Sequence, residues 1–319
     1  MTVIVSLVAA AALAASAPTV SPVEAPGPLG PLKGSLLMPA GKPRATMLII
    51  PGSGPTDRDG NNPLGIRAGP YRLLAEGLAA KGIASVRIDK RGMFESKAAI
   101  RDANQVTVAE YAADAHAWAK AIRARTGAPC IWLLGHSEGG LIAMAAAQDP
   151  ADICGLVLVS TPGRRLGDVL RQQLRASPAF APNLEPALAN IGALEAGRRV
   201  EVSQTNPVMM ALFAPQVQGF LISLLSCDPA KLVGAVAKPV LIVQGERDLQ
   251  VSVEDARTLA AADAKARLFL VPGANHVLKT VASDDRAANL ATYGDPNLPL
   301  APGIVDAIAA FVSGNPVGR

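Results

Sequence analysis

From Leu32 onward the chain alternates short β-branched or apolar runs with longer segments of helical period, the pattern of parallel strands joined by helical crossovers. Strand candidates cover residues 32–38, 45–50, 83–88, 130–134, 154–159, 240–243 and 267–271. Most are apolar throughout, as strands covered on both faces must be. Helices between them, read from period and breakers, cover 71–81, 107–125, 141–148, 252–262 and 303–312. The predicted class is α/β, a mostly parallel wound sheet with helices on both faces. Residues 164–238 break the alternation, offering helix patterns around 168–176, 186–196, 208–225 and 230–236 but no strand. This stretch is read as an inserted helical cap, which divides the core into residues 32–163 and 239–319.

A chain of 319 residues, 50% hydrophobic and 18% charged, has enough apolar surface for a sizeable core, so general disorder is excluded. Aromatic residues make up only 3%, leaving Ala, Val, Leu and Ile to build that core and making base-stacking platforms implausible. The net charge is only +4, and the basic runs are no more than pairs such as Lys90-Arg91, Arg164-Arg165 and Arg198-Arg199. A nucleic-acid partner is therefore not expected. Residues 202–227 carry no formal charge, but Pro207, Pro215, Gln216, Gln218 and Gly219 interrupt them, and no stable membrane span is expected in the mature chain.

Cys130, Cys154 and Cys227 form no C-x-x-C pair and have no histidine nearby, so neither a zinc site nor a disulfide scaffold is indicated. Cys130 and Cys154 each open a strand candidate, which leaves pairing open, but two buried free thiols are the preferred reading. At the N-terminus, residues 1–17 form an uncharged Ala- and Val-rich run ending in Ala15-Ser16-Ala17. This reads as a secretory signal peptide, followed by a Pro-rich linker over residues 18–31. The expected location is secreted or periplasmic.

The sharpest chemical feature is Gly135-His136-Ser137-Glu138-Gly139, a G-x-S-x-G between a predicted strand and a predicted helix. A serine on such a turn is lifted out of the sheet, the flanking glycines let backbone pass close, and the helix N-terminus favours developing negative charge. Its hydroxyl needs a base, and the chain offers only His116, His136 and His276. His116 falls mid-helix, and His136 adjoins the serine with its side chain expected to project away. His276 lies in the loop after the last strand candidate and is the expected base. A carboxylate must orient it. Asp248, after the strand candidate at 240–243, is the first choice, with Glu246 and Asp255 as alternatives.

The chain order Ser137, Asp248, His276, together with the strand–turn–helix at Ser137, resembles the α/β-hydrolase superfamily from about Leu32 to the C-terminus. The stretches Pro51-Gly52-Ser53-Gly54-Pro55-Thr56-Asp57-Arg58-Asp59-Gly60-Asn61 and Asp228 to Val251 look like its serine aminopeptidase-like, carboxylesterase-rich branch. Pro51 stands where many lipase relatives carry the histidine of an H-G loop. By motif, the oxyanion-hole donors are the backbone N–H groups of Ser53 and Glu138. A phosphate-cradling reading of Gly52-Ser53-Gly54 lacks the Gly-Lys-Ser/Thr that should follow.

The resemblance implies a serine hydrolase, here a carboxylesterase acting on small or medium acyl esters without cofactor or metal. A peptidase or amidase would share every catalytic residue. A binding protein that keeps the fold without catalysis is the alternative from another class. Met209, Phe213 and Phe220, in the uncharged stretch, are the candidate lining of a substrate pocket for a small-molecule ester or amide.

Overall fold

The computed structural model describes residues 17–314. Eight strands form one sheet: β1 Thr19–Ala25, β2 Leu32–Met38, β3 Ala45–Ile50, β4 Ile83–Ile88, β5 Ile131–His136, β6 Ile153–Val159, β7 Val240–Gly245 and β8 Arg267–Val271. The spatial order is β1-β2-β4-β3-β5-β6-β7-β8. The β1–β2 and β2–β4 pairs are antiparallel, and all others are parallel. Strands β4 and β7 are buried at every residue, which is why their sequences show no alternation. One apolar cluster, around Trp118, Ile122, Ile142 and Leu158, covers one face of the sheet. A second, around Tyr71, Leu78, Ile304 and Ile308, covers the other.

Eleven α-helices lie among the described residues. Those that pack on the sheet are α1 Pro70–Ala80, α2 Val108–Thr126, α3 Glu138–Ala146, α9 Val253–Ala262 and α11 Ile304–Val312. Their ends follow local chemistry. Thr107 Oγ1 accepts from the Glu110 N–H at 3.2 Å to start α2, which stops at Gly127 with φ 70°. Ser252 and Asp255 form a capping box at the start of α9.

Between β6 and β7 run α4 Leu166–Arg175, α5 Leu184–Glu195, α6 Pro207–Phe213, α7 Gln218–Leu225 and α8 Pro229–Gly234, with no strand. The short α10 Arg286–Ala291 follows β8. The uncharged run over α6 and α7 is long and apolar enough to cross a membrane by composition, with a mean hydropathy of 1.7. Ala214 breaks it at φ −49°, ψ 138°. Past that break, the Gln218 amide binds the Val200 and Phe213 carbonyls at 2.8 Å each, stitching the two pieces to their surroundings.

Two expectations need correction. Residues 18–31 are not simply a linker, because Thr19–Ala25 pair with β2 from Thr19↔Met38 to Ala25↔Leu32. Pro22 is tolerated there because β1 is the sheet's edge and needs no donor on its open side. The second concerns Cys130 and Cys154, which are bonded to each other and are not free thiols. Neighbouring parallel strands in the register Ile131↔Ile153 bring their Cα atoms to 5.2 Å. The predicted signal segment lies outside the described residues except for Ala17.

Candidate active site

The carboxyl ends of β3, β5, β7 and β8 meet at one edge of the sheet, and every predicted catalytic residue sits on a loop leaving that edge. Ser137 lies between β5 and α3 with φ 54° and ψ −123°. A non-glycine residue held there stores roughly 1–3 kcal/mol of backbone strain. The surrounding packing enforces it. A Cβ on Gly135 would lie 2.2 Å from the Gly139 carbonyl oxygen, and one on Gly139 would lie 2.3 Å from the Ile50 carbonyl oxygen. Both glycines of the G-x-S-x-G are therefore required by close backbone approach, and the Ser137 N–H is pinned to the Val159 carbonyl at 2.9 Å.

The expected base and its expected carboxylate are joined directly: His276 Nδ1–H donates to Asp248 Oδ2 at 2.8 Å. Asp248 also accepts from the N–H groups of Gln250 and Val251 at 2.8 and 3.0 Å. Burial alone would raise its carboxyl. The His276 charge and hydrogen bond, together with the two backbone donors, outweigh it and hold Asp248 below the ordinary carboxylate value. The alternatives do other work. Asp255 caps α9 and binds Arg164, while Glu246 is exposed.

The loop that presents His276 is braced by its neighbour. The Asn275 side chain donates to Thr292 Oγ1 at 2.7 Å and accepts from the Lys279 N–H at 3.0 Å.

Ser137 adjoins His136, whose ring centre lies 4.8 Å from that of His276. The Ser137 hydroxyl makes no hydrogen bond to His276 among the described residues; in a free site such bonds are commonly long and tighten around substrate. His136 takes part in a relay that sequence reasoning missed. The Gly52 N–H donates to Tyr71 Oη at 3.0 Å, the Tyr71 hydroxyl to His136 Nδ1 at 2.9 Å, and His136 Nε2–H to the His276 carbonyl at 2.9 Å. The relay fixes one neutral tautomer. Burial first, then the neighbouring His276 charge, push the His136 imidazole down to about 3. Only the histidine neighbouring the serine hinted at this; Tyr71 reads in sequence as an ordinary apolar helix position. His116 is remote, with Nε2 bonded to the Ala146 carbonyl at 3.0 Å.

Ser53, exposed on the loop after β3, and Glu138, the first residue of α3, present the predicted oxyanion donors. The Ser53 N–H has no protein acceptor among the described residues. Glu138 at the helix start has no intrahelical acceptor for its own N–H.

Two cavities open here. One of about 170 Å³ is lined by Ser137, Ser53, Glu138, Arg164 and Gln250. The other, of about 400 Å³, shares Ser53 and Glu138 and runs beneath the helical segment, against Phe213, Phe220 and Leu224. Met209, predicted as lining, does not reach either wall. It sits one helical turn before Phe213, enclosed by the helical segment's own cluster with Leu174, Ala187 and Ile191. Near the mouth Arg58 pairs with Asp89, and Arg91 with Asp114 at 2.6 Å.

A strained serine at the strand-to-helix turn of a mostly parallel sheet, with an acid–histidine pair on neighbouring loops, defines an α/β hydrolase. The sequence profile of the serine aminopeptidase S33 family matches residues 64–280, and the chain belongs to that family. The esterase EstD of Thermotoga maritima is 32% identical over 232 residues, covering 70% of this chain and 52% of that protein. The chain thus spans about half the length of this curated relative.

Among solved structures, a thermostable carboxyl esterase from Bacillus coagulans superposes with TM-score 0.59 at 16% identity, covering 92% of this chain and 98% of that one. Est1E from Butyrivibrio proteoclasticus with bound ferulic acid gives 0.53 at 20% identity, covering 82% and 91%. These two likenesses concern the fold.

Proposed function

We propose that the protein is a serine esterase that cleaves carboxylic esters of small or medium acyl chains through an acyl-enzyme on Ser137. The observation that carries this reading is the strained Ser137 in the wall of a cavity, on the same sheet edge as the bonded Asp248–His276 pair. Ser137 Oγ attacks the ester carbonyl while its proton passes to His276 Nε2, and the carbonyl electron pair moves onto oxygen. The N–H groups of Ser53 and Glu138 receive that charge. Collapse breaks the bond to the alcohol, which leaves with the proton from His276. A water that gives a proton to the same imidazole then attacks the acyl-serine, and the acid is released. Asp248 holds the tautomer and stabilises the imidazolium.

Residues 164–238 serve as a cap, and the acyl chain lies in the larger cavity against Phe213 and Phe220. A peptidase of the type for which the family is named must hold a substrate ammonium, which calls for an unpaired carboxylate facing the site. Among the described residues Glu138 is the only carboxylate lining either cavity, and Lys90 neutralises it at 2.9 Å. That pairing favours esters over N-terminal peptides. We also infer export to an oxidising compartment, because the Cys130–Cys154 bond persists only there in most organisms.

A fluorophosphonate is expected to label the wild type and not Ser137→Ala. Silence of the folded wild type would instead make this a binding protein on a hydrolase fold. A series of p-nitrophenyl esters of graded chain length is expected to outrun aminoacyl anilides, and a preference for anilides would overturn the ester reading.

A further inference from the structure

Lys90 follows β4 and ends inside the protein, 3% exposed, beneath the candidate oxyanion hole. Its ammonium donates to the Gly52 carbonyl at 2.7 Å and to Glu138 Oε1 at 2.9 Å, and it lies 5.5 Å from the centre of the Tyr111 ring. The two hydrogen bonds each hold a group tied to one of the two candidate oxyanion donors. The Gly52 carbonyl and the Ser53 N–H belong to one trans peptide unit, so holding the oxygen sets the direction in which the N–H points. Glu138 carries the other donor on its own backbone. The Gly52 N–H is held as well, by Tyr71 Oη at 3.0 Å, so both polar groups of Gly52 are tied and the peptide cannot rotate without breaking a buried hydrogen bond.

We propose that Lys90 is a positioning residue whose single ammonium clamps the two N–H groups of the oxyanion hole, Ser53 through the Gly52 carbonyl and Glu138 through its side chain. This rests on the reading of Ser137 as nucleophile. A stability role explains the arrangement poorly, because a buried ion pair contributes little net stability relative to apolar residues of the same shape. Preorganised donors aimed at an oxyanion, by contrast, each govern a large part of the rate, and they act only when fixed before reaction. Lys90 also withdraws electron density from the peptide carbonyl, which strengthens the Ser53 N–H as a donor. The clamp acts when charge has developed on the carbonyl oxygen. It therefore works on the transition state and leaves binding of the neutral ester almost unchanged.

The test uses the full chain with Lys90→Met, and Lys90→Met/Glu138→Gln so that no carboxylate is left buried alone. Thermal melting checks the fold, and Lys90→Gln, whose shorter side chain keeps a donor, carries the same measurements if the methionine variants do not fold. Two quantities are read: acylation by a p-nitrophenyl ester, and inhibition by a trifluoromethyl ketone that adds to Ser137 as a hemiketal oxyanion. The expected result is a fall in kcat of roughly 10²-fold with KM nearly unchanged, and a rise in the ketone inhibition constant by a similar factor. A folded double variant with wild-type kcat, with its loss confined to KM, or with unchanged ketone affinity overturns the role of Lys90 alone. A wild type that ignores the ketone, with Ser137→Ala fully active, overturns the reading of the site and this inference with it.

Discussion

Strands β5 and β6 are neighbours held by different means at their two ends. At the amino ends the Cys130–Cys154 disulfide joins them covalently. At the carboxyl ends both chains leave the sheet through residues of positive φ, Ser137 at 54° and Ser160 at 47°, secured only by hydrogen bonds and close glycine packing. The difference separates stability from chemistry. Backbone strain persists only where its surroundings over-determine it, and a clasp at the far end of the same strands helps supply a rigid frame. Substitutions of Ser137, Asp248 and His276 at the carboxyl edge should strike turnover and spare the fold, while those at the amino edge should do the reverse.

The largest expected effect breaks the first half of that comparison. Ser137→Ala or His276→Ala should lower kcat by about 10⁴-fold or more with an unchanged melting transition, measured on a p-nitrophenyl ester. Asp248→Asn should cost about 10³–10⁴-fold, because it leaves His276 in the wrong tautomer. A larger loss in Glu246→Gln would reassign the acid. If these variants melt well below the wild type, the edge is structural as well as chemical and the contrast fails.

The second half is tested at the clasp. The disulfide spans 24 residues in sequence, and removing it with Cys130→Ala/Cys154→Ala should cost roughly 3 kcal/mol in denaturant unfolding. Turnover at 25 °C should stay within about twofold of the wild type, since no catalytic contact reaches that end. A large loss of kcat in the folded variant would show that the two ends are coupled. A smaller effect of opposite sign is expected at the elbow: Ser137→Gly removes the proposed nucleophile yet relieves the positive φ, so it should be about 1 kcal/mol more stable than Ser137→Ala.

The same division explains what could be read from the sequence. The elbow was legible because Gly135 and Gly139 flank a serine between an apolar run and a helix, and this local pattern has few structural solutions. Asp248 and His276 were legible because parallel strands deliver their following loops to one edge. The disulfide was not, since the sequence spacing of Cys130 and Cys154 says nothing of strand order, and only the β5–β6 pairing brings them together. Strand β1 was hidden by Pro22, which disqualifies a central strand but not an edge. Met209 shares a helix face with Phe213, and helical period alone cannot say which of the two meets a cavity. Lys90 read as half of a basic pair, although a cation two residues past a wholly buried strand at the sheet's carboxyl edge was a signal that could have been used.

The last effect concerns acid, and it too distinguishes the ends of the sheet. A disulfide does not titrate, whereas the carboxyl edge holds His136 enclosed by Tyr71 and His276, with its imidazole near 3 instead of the ordinary 6.5. In the unfolded chain His136 takes up a proton below about pH 6.5, while in the folded chain it stays neutral until about pH 3. Its contribution to stability is therefore present in full above pH 6.5 and is lost progressively as pH falls towards 3. The slope is at most about 1.4 kcal/mol per pH unit for one proton. Asp248, held below its ordinary 3.8, adds acid lability of the same sign, but only from about that pH downward. Comparing the wild type with His136→Asn in denaturant unfolding between pH 7 and pH 4.5 separates the histidine from the carboxylates that also titrate there. The wild type should lose stability across this window, and His136→Asn, though weaker at pH 7 for want of the Tyr71–His276 relay, should show a flatter profile. An equal slope in both proteins would mean that His136 is not the group that senses acid, and that the relay tolerates its protonation.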